Sequence, residues 1–200
     1  MATLHQHHVP AVEDVVLQDE VVRFSAARKA LAVLRLGFGF TFLWAFLDKT
    51  FALGFHTGWT TNPETGVETL DRFGDAAWIN GGSPTEGFLQ FGTEGKWMHD
   101  FFSSFAGAAW ADWMFMIGLL GIGLALTLGI AMRIAAAAGA LLYMLMYAAV
   151  LPLENNPIVD DHLLGAISVI VLALVLAGDT WGAGKPWART RMVREYPVLR

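Results

Sequence analysis

The chain has 200 residues, 55% of them hydrophobic and 12% aromatic, with 16% charged and a formal net charge of −5. Soluble domains carry about a quarter charged residues, so this composition reads as one compact membrane domain. A net negative charge excludes nucleic-acid binding, which needs surplus Lys and Arg against phosphates. The absence of cysteine excludes thiol nucleophiles, disulfides and thiolate metal or iron–sulfur ligation, so any redox chemistry draws on a ligand or a partner.

Residues 1–29 are polar or mixed and hold no early apolar core followed by a small-residue cleavage site, so the first hydrophobic segment is expected to be retained. The His5, His7, His8 cluster in this stretch has metal-binding side chains, but in a chain terminus such clusters are usually incidental. Four apolar runs follow, at residues 30–51, 110–132, 134–151 and 162–177. Each is close to the roughly 20 residues that cross a bilayer as a helix. The expected fold is an all-α, integral membrane four-helix bundle. Only Arg133 separates the second and third runs, which predicts a tight antiparallel hairpin. The third ends at Pro152, which cannot continue a helix, and Asp160 or Asp161 offers an N-cap for the fourth.

Between the first two runs lies an insert, residues 52–109, too long to be a structureless loop in a compact protein. Its segment "WINGGSPTEGFLQFGTEG", residues 78–95, predicts a short helix: Gly81 and Gly82 permit a reversal, Ser83 suits an N-cap, Pro84 the first helical position, and Glu86 a capping box. Trp97, Phe101 and Phe105 recur every four residues and predict a second amphipathic helix. Leu70, Phe73 and Ala77 suggest a third. Together these read as a lid of short amphipathic helices on the outer mouth of the bundle, and the competing reading is a small soluble module. Nine Lys and Arg flank the runs on one side, against Arg72 and Lys96 on the other. The positive-inside rule then places both termini in the cytoplasm and the protein in the cell membrane. The chain divides into a cytoplasmic segment 1–29, a transmembrane domain 30–178 and a basic tail 179–200. Residues 186–196 read as an interfacial helix or as a solvated tail.

Candidate chemistry clusters at the outer end. Gly37, Thr41, Trp44 and Asp48 fall at spacings that share one helix face, expected to point inward. Asp48 is the first catalytic candidate because its short stem cannot snorkel, whereas Arg35 and Lys49 have stems that can. Its structural alternative is a partnership with Lys49 or another helix. Gly121, Ala125 and Gly129 predict a close helix contact. Tyr143 and Tyr147, sharing a face with Gly139, could line a pocket for a flat ring or fill the core. His162, with Asp161 or Asp160 beside it, is a proton-shuttle candidate, or else a hydrogen-bonded helix start. His99 is expected to face solvent. Histidine spacing gives no metal site.

The stretches "LAVLRLGFGFTFLWAFLDK", "WINGGSPTEGFL", "GIGLALTLGIAMRIAA" and "ENNPIVDDH" resemble the DoxX/DoxD family of four-helix membrane proteins, over roughly residues 26–190. The resemblance implies the membrane subunit of a thiosulfate:quinone oxidoreductase or of a related redox complex. The departures are the lack of a DoxA-like portion and of any cysteine. The expectation is therefore a subunit of a quinone-linked redox system, with a redox partner protein and further copies of the chain, as a homo-oligomer, as its candidate partners. Its ligand site is placed at the outer mouth, with Asp48, Asp161 and His162 as catalytic candidates and Trp44, Trp78, Tyr143 and Tyr147 as cofactor-binding candidates. A non-catalytic scaffold for a partner redox enzyme is the alternative, and a small-solute carrier a third, with few polar residues to line its path.

Overall fold

The structure, a computed structural model, describes residues 15–62 and 64–200. The His5, His7 and His8 cluster lies outside the described residues. A four-residue helix α1 (Gln18–Val21) precedes α2 (Ser25–Phe51). The insert follows, with strands β1 (Trp59–Thr61) and β2 (Glu68–Leu70) and one short helix, α3 (His99–Ser103). Then come α4 (Ala109–Leu128), α5 (Met132–Ala149) and α6 (Asp161–Leu174), and two five-residue helices, α7 (Gly184–Ala188) and α8 (Arg191–Glu195). Helices α2, α4 and α5 are each long and apolar enough to cross a membrane, while α6, at 14 residues, is shorter. The protein is mostly helical and suited to a lipid bilayer.

The expected hairpin is present: α4 runs into α5 through residues 129–131. Its turn falls just before Arg133, because Gly129 adopts φ 72° and closes α4 with its amide on the Ala125 carbonyl, 2.8 Å. Helix α5 stops at Ala149, ahead of Pro152, and Asp160 is the N-cap of α6, accepting from the Leu163 amide at 2.9 Å. The core joins Phe42 of α2 with Met116, Leu119, Ile122 and Leu126 of α4 and Val169 and Leu172 of α6.

The inward face of α2 differs from the expected one. Ala32, Arg35, Gly39 and Phe42 are buried, whereas Gly37 and Thr41 are exposed. Close backbone approach decides this. A Cβ on Gly39 would lie 2.5 Å from Thr127 Oγ1 and 2.9 Å from the Thr127 amide nitrogen, and one on Gly123 would lie 2.8 Å from the Leu43 side chain. Thr41 can face outward because its hydroxyl donates to the Gly37 carbonyl at 3.0 Å, which satisfies it within its own helix. On α4, likewise, Gly121 opens onto empty space and Gly123 makes the contact instead.

Arg35 was expected to snorkel; it is fully buried instead. Its Nε donates to the Ala177 carbonyl at 3.1 Å, and Nη1 donates to the carbonyls of Leu126 and, at 2.9 Å, Thr127. Nη2 donates to those of Thr180 and Trp181, at 3.2 and 3.0 Å. Five guanidinium donors thus meet five carbonyls, two of them at the C-terminus of α4, where helix carbonyls lack intrahelical partners and the dipole favours a cation. Beside it, buried Asp179 accepts from the Gln18 amide at 2.9 Å and from Arg200 Nη2 at 3.2 Å. The Ala183 amide donates to the Leu128 carbonyl and the Met132 amide to the Arg200 carbonyl, both at 2.7 Å. Here the basic flanking segments converge, and we refer to this as the basic end.

At the opposite, acidic end the insert departs from an all-helical lid. Leu70 lies in a strand, Phe73 is exposed with φ 59°, and Ala77 is buried ahead of a single 3-10 turn at Trp78–Asn80. Strands β1 and β2 pair antiparallel with Trp59 opposite Leu70. Ser83 does cap the following turn, accepting from the Glu86 amide at 3.1 Å, but the segment closes as a π-turn at Phe88–Gly92. In the stretch around α3 the buried ring is Phe102, packed with Leu89 and Ala149, while Trp97 and Phe101 of the expected stripe are exposed.

Two predictions follow from this packing. Arg35→Met leaves five carbonyls, two of them on buried residues, without their donors and should lower stability in detergent by at least about 3 kcal/mol, with Arg35→Lys recovering only part; an unchanged thermal unfolding midpoint would refute the role. Gly39→Ala should cost roughly 1–3 kcal/mol by overpacking, and Gly121→Ala should be near neutral, as read by the same melts.

Candidate functional site

The first turn of α6 gathers the titratable candidates. Asp160 sits in extended backbone ahead of the helix, so its Oδ1 reaches the Leu163 amide and its Oδ2 lies 2.6 Å from Nδ1 of His162. Asp161 Oδ1 is 3.5 Å from the same nitrogen on the exposed side. Burial alone would raise the Asp160 carboxyl, but the Leu163 amide and His162 outweigh it and hold the group below the usual carboxylate range. His162 keeps 17% of its side chain exposed, so its ring reaches the surface.

Tyr143 of α5 forms the apolar wall of this group. Its ring meets that of His162 edge-on at 6.5 Å and those of Phe42 and Phe38 at 5.4 and 6.2 Å. It lies flat against Gly165, where a Cβ would come 2.8 Å from the ring. The space between α5 and α6 is therefore filled by protein, and a ligand would meet His162 at the protein surface.

The structure brings together Tyr143, Asp161 and His162 of the expected site; the other candidates serve elsewhere. Asp48 is buried, and its two carboxylate oxygens accept from the amides of Phe55 and His56 at 3.0 and 2.9 Å, folding the chain as it leaves α2. Lys49 lies over the Phe115 ring at 5.9 Å. Trp44 packs on Phe40 and Phe55. Trp78 packs edge-on to Trp113 at 4.7 Å. The Tyr147 hydroxyl donates to the Ile158 carbonyl at 2.7 Å and so pins the loop that leads to Asp160. Among the described residues no hydrogen bond, ion pair or ring contact links Asp48, Trp44, Trp78 or Tyr147 to His162.

Several polar positions went unread in the sequence. Asp112, in the first turn of α4, is buried and accepts from Ser83 Oγ at 2.8 Å and from Thr85 Oγ1 at 2.6 Å, fastening the insert to α4. Lys96 Nζ meets Glu154 Oε1 at 2.8 Å, and the Trp97 amide donates to the Leu151 carbonyl at 2.8 Å, fastening the insert to the α5–α6 loop. The hydrogen bond to Lys96 lowers the Glu154 carboxyl. His99, expected in solvent, is partly buried with Nδ1 2.9 Å from the Thr93 hydroxyl. Asp160, Asp161 and His162 also place one donor atom each within 4.8 Å of one another, a grouping that a histidine-spacing search does not register. A hard cation there would compete with the bonds Asp160 makes to Leu163 and His162.

Comparison with family models, curated proteins and solved structures found no match to this chain.

The depressed Asp160 group gives a pH prediction. Its folded value lies below the ordinary 3.8, so its contribution to stability is present above about pH 4 and is lost as pH falls through the folded value. Thermal melts from pH 6 down to 2 should therefore show a steeper acid loss for the wild type than for Asp160→Asn, which keeps the cap but cannot titrate. Parallel curves would contradict the assignment.

Proposed function

We propose that this chain is the membrane subunit of a quinone-linked redox system, with thiosulfate as the electron donor that the DoxX/DoxD resemblance suggests. In this reading α2, α4, α5 and α6 form a four-helix bundle in the cell membrane. Val175 and Leu176 after α6 extend its apolar length toward a crossing, with Asp160 and His162 left at its outer boundary. The basic end lies in the cytoplasm by the positive-inside rule, and the acidic insert sits over the outer mouth.

The observation that carries this reading is the Asp160–His162 pair, 2.6 Å apart beside the Tyr143 ring, at the end of an apolar helix. Reduction of a quinone to its quinol takes up two electrons from the donor and two protons from the protein or water. Asp160 occupies Nδ1 of His162 and fixes the ring, and Nε2 has no partner among the described residues, so it can pass a proton to a headgroup oxygen. Tyr143 supplies an apolar ring edge on one side, and the lipid-facing surface of α5 and α6 leaves room for an isoprenoid tail.

A second reading, a non-catalytic scaffold for a partner redox enzyme, is favoured by a specific observation. Asp48, Asp112 and Tyr147 all use their polar atoms to hold backbone or the insert. Crosslinking in intact membranes separates the two, since a scaffold must yield a partner protein and finding only self-contacts counts against it.

The decisive test reconstitutes the full chain in liposomes with a high-potential benzoquinone, supplies thiosulfate and follows quinone absorbance. The wild type should reduce quinone and His162→Gln should be at least about 100-fold slower. Absence of both quinone reduction and any quinone-dependent shift in the thermal midpoint ends the proposal.

A further inference from the structure

We propose that the basic end binds the headgroups of anionic phospholipids through Arg189, Arg191 and Arg194, with Trp181, Met192 and Tyr196 seated at the boundary between headgroups and acyl chains. The inference rests on the membrane reading of α2, α4 and α5 and is independent of the redox assignment.

Helices α7 and α8 turn their small and aliphatic side chains inward: Gly184, Ala188 and Val193 are buried. What they turn outward is cationic and apolar together. Arg189, Arg191 and Arg194 are exposed, and so are Trp181, Met192 and Tyr196. The ion pairs among the described residues are Lys96–Glu154, His162 with Asp160 and Asp161, and Arg200–Asp179, which leaves all three arginines unpaired. Their guanidinium groups also make no hydrogen bond to protein among the described residues. On these two helices a single carboxylate, Glu195, stands against them.

The level of this surface is fixed by covalent and hydrogen-bonded neighbours. The Ala183 amide donates to the Leu128 carbonyl at the end of α4, and the Met132 amide at the start of α5 donates to the Arg200 carbonyl. Arg133 Nη1 donates to the Pro197 carbonyl at 3.0 Å. The collar is thus tied to the ends of two apolar helices, where the headgroup layer must lie if those helices cross a bilayer. Charge complementarity selects the occupant. Unpaired guanidiniums attract phosphates, and an exposed Trp and Tyr among them suit an interface with an apolar side. A soluble polyanion would leave those rings in water. The acidic end, where Lys96 is spent on Glu154, has no such cationic cluster among its described residues.

Native mass spectrometry of the detergent-solubilised full chain, titrated with phosphatidylglycerol and with phosphatidylcholine of matched acyl chains, tests this. The wild type should favour phosphatidylglycerol by at least ten-fold at low salt, and the preference should shrink as salt rises. Each Arg→Gln change at 189, 191 and 194 should reduce it about five-fold, while the triple Arg→Lys variant should keep most of it, and Arg72→Gln at the other end should change nothing. Equal binding of the two lipids, or a triple Gln variant with undiminished preference and an unchanged melt, overturns the proposal. Competition by millimolar inorganic phosphate or by heparin at the strength of the lipid would also overturn it, assigning the arginines to a soluble anion instead. Release of the chain from membranes by high salt without detergent would sink the membrane reading itself, a result separate from any lipid preference.

Discussion

The structure depends on one buried cation. Arg35 reaches across the bundle from α2 and gathers the carbonyls that end α4 together with those of the turn that follows α6. A charge in so apolar a setting is tolerable only when every donor is used, and here the five donors have five acceptors. The end of α4, which would otherwise expose unpaired carbonyls, is closed by a side chain from α2. The same knot draws in the segments before and after the bundle, because Asp179, next to the carbonyls Arg35 holds, binds Gln18 and Arg200. Basic flanking sequence therefore packs against the helix ends and does not trail away from them.

The acidic end is organised differently. No single residue gathers it. Asp48 holds the exit from α2, Asp112 holds Ser83 and Thr85, Lys96 holds Glu154, and Tyr147 holds the loop before α6. Each is a local clamp between polar side chain and nearby backbone or insert, and none is shared with another. Such an arrangement lets one element move without undoing the rest. It also leaves Nε2 of His162, like that of His99, without a structural partner among the described residues.

The parts legible in the sequence were those set by long-range periodicity and by strong local punctuation. Three apolar helices, the α4–α5 hairpin, the stop before Pro152 and the Asp160 cap all follow from residue type alone. The inward face of α2 did not, because Gly37 and Gly39 look alike in a sequence and only the partner helix decides which one is approached; Thr127 sits against Gly39. Arg35 was misread for a related reason, since a long stem near a helix end can turn toward headgroups or into the bundle, and the carbonyls that draw it inward lie more than 90 residues away in the chain. The strand pair was within reach. "WTTNPETGVETL" sets Thr- and Val-bearing segments around an Asn-Pro and a Gly, a hairpin pattern with no helical periodicity. Of the expected site, the local triplet of Asp160, Asp161 and His162 is readable from adjacency, and the separate partners of Asp48 and Trp78 are not.

The filled interior constrains what the molecule can do at its acidic end. Tyr143 lies against Gly165 and closes the space between α5 and α6, so no ring-sized ligand enters there without displacing it. In the proposed reading, chemistry at His162 takes place at the boundary of protein, lipid and water, where a quinone already dissolved in the membrane is concentrated beside the imidazole and needs no internal channel. An amphipathic ligand with a polar head and a long apolar tail satisfies that geometry. The same reasoning disfavours a solute carrier, whose path would have to pass through a core of Phe42, Met116, Leu119 and Val169. The packing of one tyrosine on one glycine thus narrows the classes of ligand more sharply than the polar residues around it.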